Sequence, residues 1–93
     1  MLNKEAVQEK LSQLSHWNLV NGEIVREFQF PDFVQALHFV NSVGEKAEAA
    51  GHHPDIDIRY NRVKLALVSH DAGGLTEKDF QLAAVIDAIY SKN

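Results

Sequence analysis

The sequence predicts an α+β domain in the order α-β-β-α-β-β-α, with a four-stranded antiparallel sheet and helices packed on one face. Three observations lead there. Apolar residues recur at helical spacing in three segments, apolar and polar residues alternate in four shorter ones, and those four fall into two pairs joined by short turns. A chain of 93 residues supports one hydrophobic core, so residues 1–93 form a single domain.

The first helix follows Asn3 as its N-cap, with Val7, Leu11 and Leu14 at i, i+4 and i+7. Trp17 to Val20 and Ile24 to Phe30 then flank Asn21-Gly22, a dipeptide suited to a two-residue type I′ hairpin. Ile24, Phe28 and Phe30 share one face of the second strand, interrupted by Arg26, while Glu27 and Gln29 face the other way. Asp32 caps the longest helix, which ends at Gly51, a glycine stop. Its apolar surface covers more than one stripe: Phe33, Val34, Leu37 and Val40 add to Ala36, Phe39 and Val43. A helix apolar on two sides needs two partners, the second of which can be another subunit.

Ile56, Ile58 and Tyr60 alternate with Asp57 and Arg59, and Val63, Leu65 and Leu67 alternate with Lys64 and Ala66. Asn61-Arg62 is the expected turn of this second hairpin. Asp71 to Gly74 reads as a loop, and Thr76 opens the last helix with Asp79 at the N3 place of a capping-box-like T-x-x-D. Leu82, Ile86 and Ile89 form the inner stripe of that helix.

Nine Lys and Arg against thirteen Asp and Glu leave a net charge of −4, with the basic residues scattered. That balance gives no footprint for a nucleic-acid backbone or an anionic membrane. Without cysteine there is no disulfide framework, thiolate zinc site or nucleophilic thiol. The N-terminal residues lack a signal-peptide core, and no run approaches the ~20 apolar residues of a membrane span. The expectation is a cytoplasmic protein, with self-association offsetting the thin stability margin of a small core.

Three of the five histidines, His52, His53 and His70, lie between Gly51 and Asp79. His53 precedes Pro54, which favours an extended backbone, and adjacent side chains on an extended backbone point to opposite sides. One ion gripped by both His52 and His53 is therefore disfavoured, although Asp71 or Asp79 could complete a metal set. HxH and HExxH spacings are absent. In an antiparallel hairpin the lead-in to Ile56 and the exit from Val68 lie at the same end, so all three imidazoles can meet at one rim of the sheet. The residues alone leave three readings open: histidines satisfied by solvent or backbone, a metal site, and proton transfer by imidazoles that titrate near neutral pH.

The spacing Glu48-x3-His52-His53-Pro54-x5-Tyr60-x9-His70-x8-Asp79 resembles the signature of the pterin-4a-carbinolamine dehydratases. Tyr60-Asn61-Arg62-Val63, Gly74-Leu75-Thr76, Trp17, Arg26 to Phe30, Asp32-Phe33 and Ala47-Glu48 also match, so the resemblance covers nearly the whole chain. One departure is Ile56, where many members carry an aromatic residue.

The resemblance implies dehydration of a 4a-hydroxytetrahydropterin to quinonoid dihydropterin and water, without metal or other cofactor. It implies His52 and His70 as the acid/base pair, in an order left open, and His53 as a substrate-orienting or second proton-transfer group. Pro54, Ser69 and Asp71 would contact the pterin. Glu48 either orients an imidazole or sits on a solvated helix face, Asp79 either serves the site or caps its helix, and Trp17 either walls the pocket or packs in the core. A homodimer or homotetramer is implied, and some relatives act as dimerisation or assembly factors through the helical surface.

Overall fold

The computed structural model describes residues 1–92. Its elements are α1 (Lys4–Leu11), β1 (Asn18–Val20), β2 (Glu23–Gln29), α2 (Phe33–Ala50), β3 (Asp55–Arg59), β4 (Arg62–Leu67) and α3 (Glu77–Ser91), with one 3-10 turn at His70–Ala72. The expected order and α+β class are both present. The strands form one antiparallel sheet in the order β1-β2-β4-β3, so the two hairpins join through β2 and β4.

Local chemistry accounts for most boundaries. Asn3 Oδ1 accepts from the Ala6 amide and Asp32 Oδ1 from the Gln35 amide, which satisfies a free donor at the start of α1 and of α2. Asn21 and Gly22 both take positive φ, 52° and 81°, as the type I′ turn requires. The second hairpin differs from expectation. Arg59 pairs with Arg62, so the turn is Tyr60-Asn61, with Tyr60 in the left-handed region at φ 53°. A contact distant in sequence holds it: Asn61 Nδ2 donates to the Phe30 carbonyl, and the Phe30 amide donates to the Asn61 carbonyl, each at 2.9 Å. This clamp stitches the second hairpin to the end of the first.

Register puts Ile24, Arg26 and Phe28 opposite Leu67, Leu65 and Val63, all on the sheet face that the helices cover. Phe28 lies at the centre of the core, 4.8 Å from Phe39 and 5.0 Å from Tyr90 between ring centroids, with Trp17 edge-on at 6.2 Å. Burying such a side chain contributes about 1.5–3 kcal/mol, and Phe28→Ala would cost about 3–5 kcal/mol. Arg26 interrupts this face because it has a partner there. Its guanidinium lies over the Phe28 and Tyr90 rings and pairs with Asp87 of α3 at 2.7 Å, and Asp87 also accepts from Trp17 Nε1 at 2.9 Å.

The wide apolar surface of α2 is only half used. Ala36, Phe39, Val43 and Ala47 are buried, whereas Phe33, Val34 and Leu37 remain 44%, 59% and 37% exposed.

Candidate active site

The ends of α2 and β4 and the start of α3 converge on one open cleft. Gly51, at φ 63°, ends α2 in a Schellman motif: its amide donates to the Glu48 carbonyl and the His52 amide to the Ala47 carbonyl, each at 3.1 Å. A glycine is used there because the left-handed conformation costs it nothing. The motif fixes the backbone of His52 directly after the helix, so the imidazole leaves α2 in a defined direction, toward the first turn of α3.

There it meets Asp79, whose carboxylate is fully buried. His52 Nε2 lies 2.5 Å from Asp79 Oδ1. The second oxygen, Oδ2, accepts from the Thr76 amide at 2.9 Å and from Ser69 Oγ at 2.8 Å. Thr76 and Asp79 together make a complete capping box, and the positive end of α3 favours a carboxylate in this position. Asp79 therefore caps the helix with one oxygen and holds an imidazole with the other.

An ionised carboxylate only accepts hydrogen bonds, so the proton of this contact sits on His52 Nε2. No buried side-chain nitrogen or oxygen among the described residues lacks a partner, so Nδ1 of His52, which has none, reaches solvent. His53 turns to a different carboxylate: its Nε2 lies 2.7 Å from Glu48 Oε1, back on the last turn of α2, and both residues are exposed. Because the two rings take separate carboxylates, they share no ligand position. Among the described residues no group of three His, Cys, Asp or Glu side chains is placed to hold a metal ion.

The sequence pattern puts His70 at the end of the strand that begins at Val63, and here the structure differs. β4 ends at Leu67, and an isolated bridge between Ser69 and Gly74 closes a tight loop in which His70 opens the 3-10 turn. His70 is exposed, and no hydrogen bond joins its ring to another described residue. The cleft, about 710 Å³, is lined by His52, His53, Ser69, His70 and Asp71, so the antiparallel hairpin does bring the three imidazoles to one rim.

Other candidates fall outside the lining. Glu48 stands behind His53, Asp79 lies buried beneath His52, and Pro54 leads away into β3. Trp17, 3% exposed, belongs to the core and bonds to Asp87. Sequence reasoning missed Met1 and Leu2, which line the cleft because the Leu2 amide donates to the Leu75 carbonyl at 2.8 Å. No periodicity or motif signals that contact, which joins segments more than seventy positions apart.

Fold and site define a class: a small α+β domain whose cleft carries imidazoles, two of them held by carboxylates. A family model described as Pterin 4 alpha carbinolamine dehydratase matches residues 1–89, and the chain belongs to that family. A protein of Acidobacterium capsulatum, provisionally named as such a dehydratase, is 65% identical over 88 residues, covering 95% of this chain and 96% of that protein. One of Chloroflexus aurantiacus, named the same way, is 61% identical over 88 residues, with 95% of each chain covered. Among solved structures, a transcriptional coactivator/pterin dehydratase from Brucella melitensis superposes with a TM-score of 0.92 at 35% identity, covering 96% and 97% of the two chains. A pterin dehydratase-like protein described as a RuBisCO assembly factor shares the fold at 23% identity, with a TM-score of 0.65 over 80% of this chain and 86% of its own.

Proposed function

We propose that the cleft dehydrates a 4a-hydroxytetrahydropterin, with His52 and His70 as the acid/base pair, in the recycling of tetrahydrobiopterin after aromatic amino acid hydroxylation. In this reaction a proton passes to the C4a hydroxyl and the C4a–O bond breaks to release water. A ring nitrogen then gives up its proton as the quinonoid double bond forms. One donor and one acceptor on a fixed scaffold suffice, and positioned proton transfer accelerates such a step by roughly 10²- to 10⁴-fold.

The observation that carries this reading is the His52–Asp79 pair. A buried carboxylate fixes the tautomer of an imidazole whose other nitrogen reaches solvent, in a cleft that also holds His70. His53, turned by Glu48, orients the substrate ring, and Ser69 and Asp71 offer polar contacts to its heteroatom edge. The test is the decay of carbinolamine absorbance in stopped flow. The wild type should accelerate it, the double variant His52→Ala/His70→Ala should return it to the spontaneous rate, and a double variant as fast as wild type would sink the reading.

A second reading concerns the exposed stripe Phe33, Val34 and Leu37 of α2. This apolar face is covered by a second copy of the chain, giving a homodimer or homotetramer, or else by another protein that the chain helps to assemble. Sedimentation should show an oligomer that Val34→Glu dissociates. A wild-type monomer in sedimentation would remove the self-associating form of this reading.

A further inference from the structure

The chain has one methionine and no cysteine, so Met1 carries its only sulfur atom. The side chain is 80% exposed, yet its surroundings are specific. The Leu2 amide donates to the Leu75 carbonyl at 2.8 Å, which ties the first residues to the segment before α3. Met1 then lies against Gly74, where an added Cβ would stand 2.5 Å from the sulfur. A glycine at that position leaves the thioether its seat, and any larger residue would fill it.

Gly74 also closes the loop that carries His70. Its amide donates to the Ser69 carbonyl at 3.3 Å and its carbonyl accepts from the Ser69 amide at 3.2 Å, with the His70–Ala72 turn between them. Met1 therefore packs on the base of the loop that presents His70, and it lines the cleft together with His52 and His70. It also lines an adjoining cleft of about 530 Å³, so it stands as a partition between the two. An unbranched thioether suits an irregular gap of this kind, because its torsions are soft and its sulfur is polarisable.

We propose that Met1 is an oxidation site at which a hydroperoxide forms the sulfoxide and thereby slows the reaction in the neighbouring cleft. The inference rests on the dehydratase reading above. A sulfur lone pair attacks the peroxide, an S–O bond forms and the O–O bond breaks. The departing hydroxide takes the proton of the transferred oxygen and leaves as water, so sulfur loses two electrons and the peroxide gains them. A dithiol-dependent reductase restores the thioether, its dithiol becoming a disulfide and the oxygen leaving as water. Exposure admits the oxidant, no thiol competes for it, and the one indole, Trp17, is buried. The sulfoxide adds an oxygen and a dipole, and the contact at Gly74 has no space for an added atom, so the oxidised side chain leaves its seat for water. Its departure removes a brace from the His70 loop and opens the partition. Met1 is thus a positioning residue that acts through His70, and oxidation forfeits part of the positioned proton transfer.

The test treats the protein with hydrogen peroxide until mass spectrometry shows one added oxygen on the peptide that holds Met1. Carbinolamine dehydration should then lose about tenfold in kcat with KM within about twofold, and recover on treatment with methionine sulfoxide reductase and a dithiol. Met1→norleucine, made by biosynthetic replacement of the single methionine, keeps the shape without the sulfur. It should show the wild-type kcat both before and after peroxide. An oxidised wild type with unchanged kcat, or a norleucine protein that peroxide slows as much, would overturn the inference and leave the dehydratase reading standing. An untreated wild type that accelerates no carbinolamine would remove that reading and the inference with it.

Discussion

Asp79 Oδ1 stands 2.5 Å from His52 Nε2 while Oδ2 of the same carboxylate caps α3 and accepts from Ser69. One buried side chain thus serves the helix end and the imidazole together, and the two roles should be separable by substitution.

Asp79→Asn keeps the shape but faces three donors with an amide that carries one acceptor. It should lower stability by about 1–3 kcal/mol in urea denaturation. It should also reduce kcat by about 10- to 100-fold, part of what positioned proton transfer supplies. Ser69→Ala removes one donor and spares the His52 contact, so it should cost about 1 kcal/mol with a smaller loss of rate. An Asp79→Asn variant with the kcat of wild type would mean that the His52 contact contributes nothing to the reaction.

His52→Ala and His70→Ala should both slow dehydration by about 10²-fold or more, yet differ in stability. The first leaves Asp79 Oδ1 buried without its donor, at a cost of about 1–3 kcal/mol. The second removes an exposed ring without a hydrogen-bond partner among the described residues, and should stay within about 0.5 kcal/mol of wild type. Thermal melts of the two proteins side by side decide the matter.

Trp17→Phe deletes the indole donor to Asp87 while keeping an aromatic ring against Phe28. Stability should fall by about 1–2 kcal/mol, and kcat/KM should remain within twofold of wild type, because Trp17 does not line the cleft. A tenfold loss of kcat/KM without loss of stability would place the indole against the substrate instead.

Tyr60→Gly should raise stability by about 0.5–1 kcal/mol. A tyrosine at φ 53° pays a steric penalty that glycine avoids, and its 68% exposed ring contributes little packing. The melting temperature of the variant against wild type measures the gain.

Much of this fold was legible in the sequence because its signals are local. The caps Asn3, Asp32 and Thr76 act on amides two or three positions away, and Asn21-Gly22 needs no partner beyond its own strands. Where the expectation missed, a distant contact had outweighed local preference. Asn61 bonds to Phe30, thirty-one positions back, and this holds the turn at Tyr60-Asn61 against the poor preference of tyrosine for positive φ. Arg26, an anomaly on an apolar strand face, is explained only by Asp87, sixty-one positions on.

By itself the sequence determined the order of elements, the family and the short stretches that carry the imidazoles, since each rests on spacing along the chain. Tertiary structure alone decided which nitrogen of His52 is held, that Asp79 divides its oxygens between a cap and an imidazole, and that Trp17 turns inward to Asp87. The physical reason is that hydrogen-bond partners are selected by distance in space. His52 and Asp79 are twenty-seven positions apart, and only the packing of α2 and α3 against one sheet brings them within 2.5 Å.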